Sequence, residues 1–94
     1  MRLSKLLAAA KIPYDGADHE IERVVCDSRA AEKHTLFVCI RGFASDGHNF
    51  AQRAYAAGCR AFLCEYPVDL PTDALVIFSE NTRIALAKVS AAFF

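Results

Sequence analysis

The 94-residue sequence has no net charge, eleven basic side chains being matched by eleven acidic ones. Nucleic-acid binding needs clustered Lys and Arg to neutralise phosphates and release their counterions, so nucleic acid is not an expected partner. No apolar run approaches the roughly 18 residues that cross a bilayer. Lys5, Lys11 and Pro13 break the N-terminal apolar stretch where a secretory signal would run on to a cleavage region. The expectation is a soluble, cytoplasmic chain with no membrane partner. Cys26, Cys39, Cys59 and Cys64 form no Cys-x-x-Cys pair and each lies in or beside an apolar run, which reads as reduced core thiols in a reducing compartment. His19, His34 and His48 show no metal-ligand spacing, so no metal site is expected. Gly-Lys-Ser/Thr and G-x-G-x-x-G are both missing. The chain alone is therefore not expected to hydrolyse ATP or to carry a dinucleotide fingerprint. With no internal repeat, residues 1–94 read as one domain.

What is there is a sequence 54% hydrophobic, arranged in alternating helical and strand periods. Leu3, Leu6, Leu7 and Ala10 share a helical face, with Ser4 or the chain start as cap and Pro13 forbidding continuation. Ile21 to Cys26 reads as a strand and Leu36 to Ile40 as a strand buried on both faces. Phe50, Ala51, Ala54 and Ala57 line a second helix stopped by Gly58, and Cys59 to Glu65 is a third strand. A two-proline loop leads to a strand over 75–78, and Asn81 can cap a last helix reaching Phe94. On that helix Ile84, Ala87 and Ala91 share one side and Leu86, Val89 and Phe93 another, which predicts contact with more than one element. The order predicts an α/β fold, a small three-layer sandwich with a mixed sheet of four to five strands. The helical pattern stops abruptly at Phe93-Phe94, as in a piece of a longer chain.

Two loops follow strands and carry polar side chains. Asp27-Ser28-Arg29 sits at a strand's C-terminal end, where open α/β sheets receive ligands. It is either a ligand contact or a turn in which Asp27 and Ser28 bond backbone and Arg29 pairs with a carboxylate. Gly42 to His48 opens a helix whose free N–H groups favour anions. Yet that segment holds no basic residue, Asp46 repels anions, and Asp46-Gly47 is also an ordinary cap signal. Cys39 and Cys64 fall in buried strands, which suits packing better than nucleophilic chemistry.

Taken together the motifs resemble the N-terminal domain of the Mur ligases. Val25-Cys26-Asp27-Ser28-Arg29 is similar to the family's strand-end D-S-R, residues 36–42 to its L-F-V-A-x-x-G, and Asp46-Gly47-His48-Asn49-Phe50 to its D-G-H-x-F. Ala54, Gly58, Ala61 and Glu65 continue the match. The helix from Arg83 to the terminal aromatic pair resembles the branch that adds the third stem-peptide residue more than the branch that adds the terminal dipeptide. The pattern is broken where the family has Gly-Asp before Leu-Phe: His34 and Thr35 stand there, so a turn needing positive φ would be strained.

The resemblance implies a domain that holds the uridine end of UDP-MurNAc-L-Ala-D-Glu, with no catalytic residue of its own. Central ATPase and C-terminal domains of the parent chain would bind ATP and Mg2+ and form the amide bond in peptidoglycan biosynthesis. Ser28 is expected to bond the uridine, with Cys26 lining the pocket and Gly42, Phe43, Ala44 and Ser45 forming the other wall. Asp27, Arg29, Asp46 and His48 would shape or touch the site, and cations for the diphosphate would come from the other domains. Other readings are the equivalent domain of the dipeptide-adding branch, an interaction module docking through Val89 to Phe94, and a His/Cys metal module.

Overall fold

The computed structural model describes residues 1–42 and 44–94. Helix α1 (Leu3–Ala9) is followed by β1 (Arg23–Val25), β2 (Thr35–Val38), α2 (Ala51–Ala56), β3 (Ala61–Cys64), β4 (Leu75–Phe78) and α3 (Thr82–Phe93). Short 3-10 turns, Ser28–Ala30 and Gly47–Phe50, follow β1 and precede α2.

The four strands lie side by side in the order β1-β2-β3-β4, and all three pairings are parallel. The class and strand number match the expectation; the mixed sheet does not, and is corrected to a parallel one. The reason lies in the connections. Segments 26–34 and 65–74 hold no long helix, yet each is long enough at about 3.3 Å per residue to return along a four-residue strand and start its neighbour in the same direction. Among the described residues, antiparallel pairing is confined to isolated bridges, Arg2 with Glu20 and Arg41 with Asp46.

Strand alternation builds the three layers. Leu36, Val38, Ala61, Leu63 and Ile77 face one side, where α1 and α3 cover them with Leu3, Leu6, Leu7, Ala85 and Val89. Phe37, Cys39, Phe62 and Cys64 face the other, under Ala51 and Ala54 of α2 and Val68 and Leu70 of the 65–74 segment. Phe37 and Phe62 meet edge to face, their ring centroids 6.1 Å apart. Covered on both faces, β2 and β3 are buried along their whole length and apolar but for Thr35.

Local chemistry sets the ends of the helices. The backbone of Ser4 donates to Asp18 Oδ1 at 2.9 Å and its hydroxyl to Oδ2 at 2.7 Å, so the anion at the start of α1 is Asp18 rather than a local cap. Asn81 caps α3, accepting from the Ile84 amide at 3.1 Å. On α3 the buried face is Thr82, Ala85 and Val89, with Leu86 and Phe93 half-buried. The Ile84, Ala87 and Ala91 side is exposed, so contact with both α1 and β1 is made through one face, not two. Of the 89–94 segment, Val89 is in the core and Phe93 half-buried, while Phe94 is exposed. Three cysteines are buried thiols as expected, but Cys26 is exposed, because β1 ends at Val25 and Cys26 leaves the sheet. Among the described residues no helix is long and apolar enough to cross a membrane.

Candidate functional site

Parallel pairing of β1 with β2 puts the two polar loops at one rim of the sheet. Between them lies a cavity of about 590 Å³. Cys26, Asp27, Ser28 and Arg29 form one wall; Gly42 and Ser45 belong to the other, joined by Ile40, Gly47, Phe50 and Arg53. A second cavity, about 460 Å³ and lined by His19, His34, Thr35 and Gly58 among others, opens at the N-terminal ends of the strands. The C-terminal rim is where open parallel sheets receive ligands, and it is the rim to which both loops converge.

In the first wall, Asp27 caps the turn Ser28–Ala30, its Oδ1 accepting the Arg29 amide at 2.9 Å. The Arg29 guanidinium returns to the same carboxylate, Nη2 donating to Oδ2 at 2.8 Å and Nε to Oδ1 at 3.1 Å. Hydrogen bonds from the Arg29 side chain and then its amide pull the Asp27 pKa down to about 2. The two charges cancel at the rim. Ser28 is not an exposed loop residue: only 8% of its surface is accessible, and its hydroxyl has no hydrogen-bond partner among the described residues. Set in the cavity wall, this hydroxyl can both donate to and accept from a ligand.

The second wall is a tight loop. The Gly42 amide donates to the Ser45 carbonyl at 2.7 Å and the Gly47 amide to Ile40 at 2.8 Å. A Cβ on Gly47 would lie 2.8 Å from the Ile40 nitrogen, so only glycine permits this approach. Asp46 and His48 do not line the cavity; they hold its wall. Asp46 Oδ1 accepts the His48 amide at 3.0 Å and His48 Nδ1–H at 2.7 Å, and its Oδ2 accepts the Tyr66 hydroxyl. Burial pushes the Asp46 carboxyl up, but these hydrogen bonds outweigh it and the net shift is downward. The same bond pushes the Tyr66 pKa up to about 12. The Tyr66 ring stacks on His48 with 3.8 Å between centroids. Ala44 is exposed beside the cavity rather than in its lining, and Phe43 lies outside the described residues.

His48 also brings together what its sequence position did not announce. It lies with Cys39 and Cys64 in a buried group whose ligand atoms fall within 4.8 Å of one another. The Glu65 amide donates to His48 Nε2 at 2.9 Å, which fixes the proton on Nδ1 and leaves neither ring nitrogen for a metal. Its mutual hydrogen bond with Cys64, then burial, push the Cys39 thiol pKa up, away from the thiolate a metal needs. The cluster ties β3 to the loop rather than offering a metal centre. Sequence spacing missed it because Cys39 and Cys64 become neighbours only through the β2–β3 register.

Arg53 was also missed. The signal was available: Phe50 and Arg53 are three residues apart and share one side of the turn leading into α2. Its guanidinium carbon stands 5.5 Å from the Phe50 ring centroid, bringing to the cavity a cation that the 42–48 segment lacks.

A small parallel α/β domain with an open cavity at the C-terminal rim is the class that fold and site define. The family model described as "Mur ligase family, catalytic domain" matches residues 20–93. The chain belongs to the Mur ligase family and is its N-terminal type of domain. It is 39% identical, over its whole length, to UDP-N-acetylmuramoyl-L-alanyl-D-glutamate--2,6-diaminopimelate ligase of Bacillus velezensis, of which it covers 19%. Against the ligase of the same name from Chlorobaculum tepidum it is 41% identical, with 85% of this chain and 16% of that one covered. A crystal structure of MurF from Acinetobacter baumannii superposes with a TM-score of 0.77 at 28% identity, covering 94% of this chain and 20% of that one. The chain thus spans about a fifth of the length of the curated relatives it matches.

Proposed function

We propose that this domain anchors the uridine end of UDP-N-acetylmuramoyl-L-alanyl-D-glutamate for an ATP-dependent, amide-forming ligase of the MurE branch, in the cavity between loops 26–29 and 40–47. The observation that carries the reading is Ser28: nine-tenths buried, unpaired among the described residues, and in the wall of a cavity of ligand size. The curated relatives, 36–41% identical and named as diaminopimelate ligases acting on that substrate, support the branch. The structural neighbours are MurF and support the same domain in the dipeptide-adding branch as the second reading.

Cys26 and Ser45 flank the nucleoside in this reading, Asp27 holds Arg29 in the wall, and Asp46 and His48 position the second loop. Ala44 and Phe43 are assigned to the mouth of the pocket. With no Gly-Lys-Ser/Thr in the sequence, no residue here is assigned to phosphoryl transfer. ATP, Mg2+ and the chemistry belong to the central and C-terminal domains of the parent chain. The anchor acts on catalysis by spending remote binding energy on the position of the reacting carboxylate. Work on a nucleotide-linked precursor with ATP is cytoplasmic, which suits a chain with four free thiols.

Titration of uridine and UDP into isotope-labelled chain tests this. Amide shifts are expected at residues 26–29 and 42–47; shifts confined to the opposite rim, or none at millimolar ligand, would remove the site. Ser28→Ala is expected to weaken both ligands about five- to tenfold, the loss of one hydrogen bond worth about 1 kcal/mol, while the thermal midpoint stays within a few degrees. Unchanged affinity in this variant would take Ser28 out of the site.

A further inference from the structure

The charges around the cavity are unequal in kind. Asp27 and Arg29 neutralise each other in a bidentate pair. Arg41, at the base of the second loop, is bound to Glu65 through Nε at 2.8 Å. Arg53 makes no ion pair and no side-chain hydrogen bond among the described residues; its contact is the face of Phe50. It is therefore the cavity's uncompensated cation among those residues, facing a space of about 590 Å³. That volume exceeds what a pyrimidine ring fills and lies in the range of about 300–1,000 Å³ that takes a whole drug-sized ligand.

We infer that Arg53 is the anion-binding residue of this site and takes the diphosphate of the uridine nucleotide. The inference rests on the uridine reading above and adds to it a cation supplied by this domain rather than by its neighbours. Guanidinium suits the task because its planar fork meets phosphate oxygens in pairs. Packing on Phe50 restricts the side chain before the ligand arrives, so less freedom is lost on binding. The neighbouring Asp27 carboxylate does not oppose the anion, because Arg29 already holds it.

The experiment compares uridine with UDP on the 94-residue chain and its Arg53→Gln and Arg53→Lys variants, by calorimetry or amide shifts at two salt concentrations. The Arg53 side chain is exposed and makes no hydrogen bond or ion pair among the described residues, so both variants are expected to melt with the parent. The parent should prefer UDP to uridine, with a preference that shrinks as salt rises. Arg53→Gln should lose about tenfold or more in UDP affinity, keep its uridine affinity and erase the preference, with Arg53→Lys in between. Equal UDP affinity in parent and Arg53→Gln, with uridine still bound, overturns the role of Arg53 alone. A parent that binds neither ligand overturns the uridine site and this inference with it.

Discussion

His34 adopts φ 60 in the turn before β2, where its carbonyl accepts the Glu22 amide at 2.7 Å. The tertiary hydrogen bond keeps a left-handed backbone that a side chain disfavours by about 1–2 kcal/mol. His34→Gly is accordingly expected to stabilise the chain by about 1 kcal/mol, after the entropy glycine adds to the unfolded state. Urea denaturation measures it, and a loss of stability would show that the histidine ring contributes more than its backbone costs. This conflict was visible in the sequence, because a turn motif with His where the family has Gly is a local signal. Cys26 was not legible in that way. Whether a residue at a strand's end is core or rim depends on where pairing stops, and β1 pairs only through Val25.

Helices α1 and α2 end in the same hydrogen-bond pattern. Ile12 donates to Leu7 and Lys11 to Ala8 after α1, as Cys59 donates to Ala54 and Gly58 to Tyr55 after α2, the paired bonds of a Schellman stop. Gly58, at φ 113, fills the left-handed position at no steric cost, while Lys11 occupies it at φ 59. Periodicity, Pro13 and Gly58 made both helix ends readable. At its other end α3 depends on Asn81, and Thr82 behind it donates its hydroxyl to the Cys39 carbonyl at 2.7 Å and its amide to Glu65 Oε2 at 2.9 Å. Asn81→Ala is expected to cost about 1 kcal/mol in urea denaturation and to speed amide exchange over the first turn of α3. Unaltered exchange there would mean that Thr82 alone holds the helix. The strands were legible in position and buried character, less so in extent. Ile40, expected in β2, is drawn out of the ladder by the amide of Gly47, a partner seven residues on that no strand pattern encodes.

Across the whole molecule, the acid side of the stability profile follows from carboxylates engaged in the fold. Hydrogen bonds from Arg29 hold Asp27 near 2, while Glu65 is lowered first by the Thr82 amide; Asp46 is lowered as well. Each binds its proton more weakly folded than unfolded, so the unfolded chain takes up more protons as pH falls. Their stabilisation is complete above the ordinary values of 3.8 and 4.5 and drains away as pH drops through the folded ones. Urea midpoints should therefore fall between about pH 4.5 and 2; a flat profile over that window would show that these bonds contribute nothing net. By itself the sequence determined the helical and strand periods, the helix stops, the apolar centre of the sheet and both polar loops, since each is a property of neighbouring residues and their backbone preferences. The strand–helix–strand run over 36–65 also marks β2 and β3 as parallel neighbours; tertiary structure alone decided that β1 and β4 run parallel to them, that Cys39, His48 and Cys64 meet, and that Arg53 stands at the same cavity as Ser28. The direction of the edge strands and the register are settled by which crossovers let both sheet faces be buried at once, a condition on the whole chain that no local window contains.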